Sequence, residues 1–343
     1  MTTKQSLKIR IRKHVGAVAI EHALGGFARV SRLHPRARLS LHGVERIRDV
    51  AYRRTGSHAH LLDVYRPIAR PIASHLPVVL YVHGGAFRML SKDSHWLMAL
   101  AFARRGHLVF NINYRLAPKH RFPAAIEDVC AAYAWVVENA ARWGGDATRI
   151  VVAGESAGAN LVTSLTIATT YHRREPWARA AFDMGVVPRA TLPACGMFQV
   201  SDPARFARRR KLPAWTAEHI DVCSEGYLPK TAFAAPHGLD LADPLLVFER
   251  GDRPLRPLPP FFIIAGTHDP IFDDSRRLHA ALGKVGAESE LAVYPGEVHA
   301  FHALVWRPAA RDAWRRMLEF VEKGDADETL SRHETRATLR GLP

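Results

Sequence analysis

One serine in the sequence lies in a setting that could make it a nucleophile. Ser156 is the centre of the stretch GESAG (154–158), a G-x-S-x-G pattern that follows the apolar run 149–154 and precedes a helical pattern over 157–172. Small residues on both sides of the serine allow a sharp turn from strand to helix, which lifts the hydroxyl clear of a sheet. The start of the helix also favours negative charge that develops nearby. The pattern therefore predicts that Ser156 is a catalytic nucleophile.

Candidates for the base and the acid that such a serine needs follow two later apolar runs. A serine hydroxyl is a poor nucleophile near neutral pH unless a base takes its proton and an acid holds that base. Asp269 is the first carboxylate after the run 261–266, and His299 comes soon after the run 290–295. His299 could take the proton from Ser156, and Asp269 could orient and stabilise the imidazole. The residues predict acyl-transfer chemistry by a Ser-His-Asp triad.

Neighbouring residues leave alternatives for the base and the acid. His268 adjoins Asp269, and His302 lies three residues beyond His299, so any one of these histidines could instead be a hydrogen-bonded loop residue. Asp273 follows Asp269 by one helical turn and is the alternative acid. The positions that follow the strands favour Asp269 and His299.

Two adjacent glycines follow a third apolar run, 76–82. Gly84 and Gly85 belong to the stretch YVHGGAF, and adjacent glycines cost order unless the backbone must turn sharply or approach another group closely. In acyl transfer the carbonyl oxygen becomes an anion, and each backbone N–H aimed at it can contribute roughly 10²–10³ in rate. Gly84 and Gly85 are therefore predicted oxyanion donors, together with Ala157 directly after the nucleophile. His83 is predicted to pin the loop by hydrogen bonding.

A regular series of strands and helices would position these residues. Compact apolar runs, typical of strands buried on both faces, alternate with helical patterns and predict a mainly parallel sheet with helices on both faces. The first two strands alternate more clearly and are predicted to form an antiparallel edge. The predicted strands are 44–51, 60–66, 76–82, 107–113, 149–154, 192–199, 261–266 and 290–295, and the predicted helices are 93–105, 123–142, 157–172, 275–285 and 308–322.

This alternation breaks between the strands near 199 and 261. The intervening residues are rich in Pro, Arg and aromatic side chains, and the stretch is too long for a plain crossover, so we predict an inserted helical segment. The predicted division of the chain is an N-terminal helical part of a cap at 1–42, a catalytic core at 43–199 and 255–322, an inserted cap segment at 200–254 and a charged C-terminal tail at 323–343.

Charge and cysteine usage limit the partners and the compartment. Most of the formal net charge of +15 lies in residues 1–54, which contain 13 Lys and Arg against three acidic residues. No aromatic-basic interleaving accompanies this cluster or the RRRK stretch at 208–211, so we expect solvated basic faces, no nucleic-acid partner and at most weak association with an anionic membrane surface. Three widely spaced cysteines, no apolar stretch long enough to cross a bilayer and no clear secretory signal predict a soluble, cytoplasmic protein.

Metal and cofactor sites are weakly indicated. His58 and His60 have the spacing of a metal pair on one face of a strand, but the sequence indicates no third ligand. The G-x-G-x-x-G and G-x-x-x-x-G-K patterns of nucleotide sites are absent from the sequence. We therefore expect no metal and no cofactor.

Taken together, these residues resemble the hormone-sensitive-lipase-like esterase family of the α/β-hydrolase superfamily. Five stretches match in family order: HGGA at 83–86, where the family usually has HGGG, YRLAPKHRFPAAIEDV at 114–129, GESAGAN at 154–160, DPIFDD at 269–274 and GEVHAF at 296–301. The resemblance implies an α/β-hydrolase fold, with a mainly parallel eight-stranded sheet flanked by helices and a helical cap. It also implies a triad of Ser156, Asp269 and His299 with oxyanion donors at Gly84, Gly85 and Ala157.

The sequence thus predicts a serine carboxylesterase that hydrolyses small-molecule esters of short to medium chain length through an acyl-enzyme. An amidase, or a deacetylase acting on an acetylated natural product, is the alternative, because the same triad cleaves both kinds of bond. A non-catalytic ligand-binding member of the fold is a weaker alternative, because all three triad candidates are present. Glu155 stands where the family often has Asp or Thr, and Ala300 stands where Gly usually follows the histidine, so the preferred chain length stays open.

Overall fold

A mixed sheet forms the centre of the computed structural model, which describes residues 26, 30, 32–71, 75–233 and 238–323. In these residues the sheet has eight strands. They are β1 (Val44–Ala51), β2 (Leu61–Pro67), β3 (Leu76–Val82), β4 (Leu108–Ile112), β5 (Gly145–Glu155), β6 (Ala190–Ala194), β7 (Phe261–Gly266) and β8 (Ser289–Tyr294). Their spatial order is β1-β2-β4-β3-β5-β6-β7-β8. β1 and β2 pair antiparallel, as do β2 and β4, and the other neighbours are parallel, so the predicted fold class and antiparallel edge are confirmed.

Helices cover both faces of the sheet. They are α1 (Trp96–Ala103), α2 (Ala124–Asn139), α3 (Ala157–Thr170), α4 (Pro176–Asp183), α5 (Arg205–Arg209), α6 (Ala214–Tyr227), α7 (Pro244–Arg250), α8 (Phe272–Lys284) and α9 (308–323). Helices α1 and α9 pack on one face, whereas α2, α3, α4 and α8 pack on the other. Strand β3 shows the consequence, because Val78, Leu80 and Val82 face one layer while Val79 and Tyr81 face the other. A strand covered on both faces therefore reads as one continuous apolar run.

The parallel strands bring several loops to the same edge of the sheet. Gly154 near the end of β5 pairs with Val82 at the end of β3 and with Pro193 in β6. Gly266 at the end of β7 pairs with Tyr294 at the end of β8. The loops after β3, β5, β7 and β8 therefore leave the sheet side by side, where α/β sheets place ligands.

Two strands differ most from their predicted bounds, since β5 begins at Gly145 rather than near 149 and β6 ends early. β6 ends at Ala194 rather than near 199, because Cys195 adopts a positive φ of 50°. The N–H groups of Phe198 and Gln199 then donate to the Asp274 carboxylate, at 2.7 and 3.2 Å, instead of to a neighbouring strand. The apolar run in the sequence is therefore longer than the strand, which ends at Ala194.

The predicted division into core and cap stays a prediction. Most of its N-terminal part and the tail after 323 lie outside the described residues, and so does most of the N-terminal stretch in which the sequence shows no clear secretory signal. Within the predicted insertion, α7 packs against the core helices α3 and α8. In the part of the chain that the structure describes, no helix combines the length and the apolar character needed to cross a bilayer.

Lys92 is a fully buried lysine that ties the loop after β3 to the antiparallel edge. Its Nζ lies 2.7 Å from Asp63 Oδ1 in β2 and 2.8 Å from Asp49 Oδ1 in β1. Its backbone N–H donates to Asn113 Oδ1 at 2.7 Å, and its carbonyl accepts a hydrogen bond from Asn111 Nδ2 at 2.8 Å. The loop that starts with the two glycines is therefore anchored again in the sheet.

Replacing Lys92 with Met is expected to lower the free energy of unfolding by about 3–5 kcal/mol, because it leaves the Asp63 carboxylate buried without its cation. Urea denaturation of the two proteins measures this loss. The control is Arg315→Met, which breaks exposed ion pairs with Asp312 and Glu319 and should leave the free energy of unfolding nearly unchanged. Equal losses in the two variants would contradict the anchoring role of Lys92.

Candidate active site

Ser156 lies in the turn between β5 and α3. β5 ends at Glu155, α3 begins at Ala157, and Ser156 itself has φ 55° and ψ −114°. Such a positive φ is uncommon for a residue other than glycine, and strained backbone of this kind clusters at functional sites. The helix approaches β3 so closely that a Cβ on Gly158 would lie 2.1 Å from the carbonyl oxygen of Val82. The strand-turn-helix context expected for the GESAG stretch is therefore present.

The structure brings Ser156, His299 and Asp269 into one chain of hydrogen bonds. His299 Nε2 lies 3.0 Å from Ser156 Oγ, and His299 Nδ1 lies 2.8 Å from Asp269 Oδ2. Asp269 is fully buried, and its Oδ1 accepts a hydrogen bond from the N–H of Ile271 at 2.9 Å. When Nδ1 of His299 donates to the carboxylate, Nε2 carries the lone pair that can accept the serine proton.

The surroundings of His299 strengthen it as a base. Burial lowers the pKa of the imidazole, but the charge and hydrogen bond of Asp269, together with the charge of Glu155, outweigh burial and leave the pKa raised above its ordinary value of 6.5. A base acts in its neutral form, so the active fraction increases as pH rises through this raised pKa.

The alternative acid and the alternative bases have other surroundings. Asp273 Oδ1 accepts a hydrogen bond from Arg209 Nη1 at 2.8 Å. His302 Nε2 lies 3.6 Å from Glu155 Oε2, and burial is the main reason why the pKa of His302 falls to about 4. His268 is exposed to solvent. The hydrogen-bonded chain thus selects the residues that the sequence favours.

Two of the three predicted oxyanion donors line the cavity in front of the serine. Gly85 and Ala157 lie in its wall, and Ala86 lies there as well. The N–H of Gly84 instead donates to His95 Nε2 at 3.2 Å, so this group is not offered to a substrate. The donor role of Gly84 stays a prediction that this hydrogen bond does not favour, and Ala86 is an additional candidate donor.

The backbone of this loop explains the glycine pair. Gly85 has φ 109°, and a Cβ added there would lie 2.2 Å from the carbonyl oxygen of Met89. The N–H groups of Arg88 and Met89 donate back to the Gly85 carbonyl, at 2.9 and 3.0 Å. Ala86 also has a positive φ, 56°. Within the described residues, no hydrogen bond engages the N–H of Gly85 or of Ala86, which leaves both groups for a ligand.

A buried carboxylate beside the nucleophile received no role from the sequence. Glu155 Oε2 lies 3.8 Å from His95 Nε2 and 3.6 Å from His302 Nε2. Burial alone would raise the pKa of this carboxyl, but His95, His302 and His299 outweigh burial and lower the pKa of Glu155 to about 2. Glu155 therefore stays ionised and adds to the negative charge near His299. The sequence carries no local signal for His95, which reaches the site from the segment before α1.

A cavity of about 940 Å³ opens in front of Ser156 and His299, a volume suited to a small molecule. Helix α6 of the predicted insertion forms part of its wall, and most other lining side chains are apolar. Phe87, which is part of the wall, stacks on Tyr227 with ring centroids 3.8 Å apart. The lining residues include Met89, Leu90, Trp96, Leu97, Met98, Met197, His219, Ile220, Cys223, Ile271, Val305 and Trp306.

One group among the described residues has the spacing of a metal site. The ligand atoms of Cys195, Asp269 and His299 all lie within 4.8 Å of one another. Two of these side chains already form the hydrogen-bonded pair described above. Burial raises the pKa of the Cys195 thiol well above its ordinary value, which opposes the thiolate that a metal requires. We therefore assign no metal to this group.

The sheet, the serine turn and the hydrogen-bonded chain are those of an α/β-hydrolase, and a family model described as alpha/beta hydrolase fold matches residues 79–303. The carboxylesterase NlhH of Mycobacterium tuberculosis is 34% identical over 281 residues, which cover 79% of this chain and 81% of NlhH. The esterase LipI of the same species is 33% identical over 246 residues, 71% of this chain and 68% of LipI. The crystal structure of esterase LipW from Mycobacterium marinum is 28% identical, with a TM-score of 0.66, and the match covers 90% of this chain and 88% of LipW. The chain belongs to the hormone-sensitive-lipase-like esterase family of the α/β-hydrolases, a family of carboxylic ester hydrolases.

Proposed function

We propose that this chain is a serine carboxylesterase in which Ser156 is the nucleophile, His299 the general base and Asp269 the acid that holds the base. The observation that carries the proposal is the continuous chain of hydrogen bonds among these three residues, with the serine facing a largely apolar cavity. The named esterase activities of the relatives support the choice of an ester over other acyl compounds.

The proposed reaction proceeds in two acyl-transfer steps. Ser156 Oγ attacks the ester carbonyl carbon while His299 Nε2 takes the hydroxyl proton. The carbonyl oxygen gains negative charge, which the N–H groups of Gly85, Ala86 and Ala157 would stabilise. His299 then gives its proton to the leaving alcohol as the C–O bond breaks, which leaves an acyl group on Ser156. Water attacks this acyl-enzyme by the same route, releases the carboxylic acid and restores the serine.

The cavity supports a preference for short and medium acyl chains. Its volume of about 940 Å³ must hold both the acyl and the alcohol part of a substrate. The apolar lining favours alkyl or aryl groups, because burying them removes apolar surface from water. A longer acyl chain takes up more of this volume and leaves less of it for the alcohol part.

A chain-length series of p-nitrophenyl esters tests the proposed function. We expect kcat/KM to be highest for acetate, butyrate or octanoate and at least about tenfold lower for palmitate, because apolar burial ends where the cavity ends. The matched amide, 4-nitroacetanilide, should be cleaved far more slowly than p-nitrophenyl acetate. Comparable rates for this pair would indicate the amidase alternative. Tight binding without turnover of any ester would indicate the non-catalytic alternative.

Association with an anionic membrane surface and a cytoplasmic location stay predictions. The basic residues before Gly26 lie outside the described residues. The three cysteines are all buried and form no disulfide bond with one another, which is compatible with a reducing compartment.

A further inference from the structure

The arginines of the RRRK stretch are exposed, as the sequence suggested, but two of them also donate hydrogen bonds to the segment that follows β7. Arg209 Nη1 donates to Asp273 Oδ1 at 2.8 Å. Arg210 Nη2 donates to the backbone carbonyl of Asp269 at 2.7 Å, and its Nη1 donates to the carbonyl of Thr267 at 3.3 Å. Two consecutive arginines of the inserted segment therefore contact the loop and helix start that follow β7.

A third arginine makes the same connection inside the protein. Arg205 binds Asp274 through two contacts, from Nε to Oδ1 at 3.0 Å and from Nη2 to Oδ2 at 2.5 Å. Both side chains are buried. Asp274 Oδ2 also accepts the N–H of Phe198 at 2.7 Å. The segment 205–210 is thus attached to residues 267–274 at three points.

This attachment joins the cavity wall to the proposed acid. The segment 205–210 leads directly into α6, which lines the cavity, while residues 267–274 carry Asp269. The Asp269 carbonyl accepts the Phe272 N–H at 3.2 Å as well as Arg210, and the Asp269 carboxylate accepts the Ile271 N–H. Hydrogen bonds therefore fix both the backbone and the side chain of Asp269. Arg210 provides one of these hydrogen bonds from the inserted segment.

We propose that Arg210 is a positioning residue for the catalytic acid, and that Arg205, Arg209 and Arg210 couple the inserted segment to the acid loop. The inference rests on the proposed function, in which Asp269 holds His299. A charged donor makes a stronger hydrogen bond to a carbonyl than a neutral donor does. Small displacements of a reacting constellation cost large factors in rate, so the position of this loop matters for turnover.

The test compares Arg210→Met with Arg208→Met. Arg208 is a matched control, since it lies two residues away, carries the same charge and pairs with the partly exposed Asp202. With p-nitrophenyl butyrate we expect Arg210→Met to lower kcat about tenfold with little change in KM, because the acid is displaced and the cavity is retained. Arg208→Met should keep the wild-type kcat. Arg210→Lys keeps a charged donor and should recover part of the loss.

The pH profile separates a positioning role from a loss of folded protein. The titratable groups that interact electrostatically with His299 are Asp269, Glu155, His302 and His219. Among them, Asp269 is the main group that raises the pKa of His299 against the effect of burial. If Asp269 withdraws, the pKa of His299 falls, and the acid limb of kcat/KM moves to lower pH. If Arg210→Met acted only by removing a positive charge, the pKa of His299 would rise and the acid limb would move to higher pH. A smaller fraction of folded protein would leave the acid limb in place.

Three outcomes would overturn the inference: a wild-type kcat in Arg210→Met, an equal loss in Arg208→Met, or an acid limb that stays in place or moves to higher pH. Asp269→Asn, measured in the same series, keeps this conclusion apart from the proposed function. If Asp269→Asn is inactive and Arg210→Met is normal, only the role of Arg210 fails. If Asp269→Asn retains full activity, the assignment of the acid fails.

Discussion

Replacing Ser156 with Ala is expected to lower kcat on p-nitrophenyl butyrate by about 10⁵–10⁶-fold, the scale of nucleophile removal in serine hydrolases. The substitution removes only Oγ, the atom that lies 3.0 Å from His299 Nε2. No acyl-enzyme can then form, and the remaining rate reflects binding and the oxyanion donors alone. Because alanine keeps the Cβ, the turn at φ 55° carries the same strain as before, and the fold should be unchanged.

A second serine–histidine pair in the chain provides the control. Ser289 Oγ lies 2.8 Å from His279 Nδ1, and Ser289 pairs with Phe261 at the start of β7, the opposite end of the strand from the loop that carries Asp269. Ser289→Ala should therefore retain wild-type turnover. A fluorophosphonate probe gives an independent readout, since it bonds to an activated serine oxygen with loss of fluoride and should label wild type and Ser289→Ala but not Ser156→Ala. Substantial turnover or labelling of purified Ser156→Ala would refute the assignment.

The candidate triad could be predicted because local patterns and topology agree. A strand that is buried on both faces reads as an apolar run, and parallel strands end at the same edge. The first suitable residues beyond β5, β7 and β8 therefore had to meet, and Ser156, Asp269 and His299 do. The hydrogen bonds join residues that are far apart in the sequence. Each of the three residues nevertheless follows an apolar run that the sequence itself shows.

Other contacts lack such a pattern. His95 accepts a hydrogen bond from the N–H of Gly84, eleven residues earlier in the chain, and no repeat or motif marks His95. Arg210 reaches the Asp269 carbonyl from a segment whose charges look the same as those of a solvated face. The sequence of a basic run does not show which carbonyl or carboxylate will lie opposite it. The tertiary structure therefore decides its role.

Helix α4 is a different kind of omission, since the sequence contains its signal. Pro176 occupies the first turn, where a missing N–H costs nothing, and the buried Ala178 and Ala181 lie three residues apart on one face. The helix is short and its other face is polar, so the apolar pattern of the sequence does not predict it. Its start signal, rather than its apolar content, is what identifies it.

Replacing Asp269 with Asn is expected to lower kcat on p-nitrophenyl butyrate by about 10⁴-fold while leaving the fold intact. Asp269 Oδ2 accepts the proton on His299 Nδ1, and Oδ1 accepts the Ile271 N–H, so the carboxylate needs two acceptor oxygens. An amide has only one acceptor oxygen. If its NH₂ faces His299, the imidazole must carry its proton on Nε2, where it cannot accept the proton of Ser156.

The pH dependence gives this substitution a second signature. The charge of Asp269 is the main influence that raises the pKa of His299 against burial, whereas Glu155 contributes less. Without that charge the pKa of His299 falls, so the acid limb of the residual activity should move to lower pH. Asp273→Asn tests the alternative acid: it removes the contact of Asp273 in α8 with Arg209 of the insertion but keeps the Asp269 charge and its bond to His299, so the loss in rate should be far smaller and the acid limb should stay in place. An equal loss in Asp273→Asn, or an unmoved acid limb in Asp269→Asn, would mean that another carboxylate holds the base.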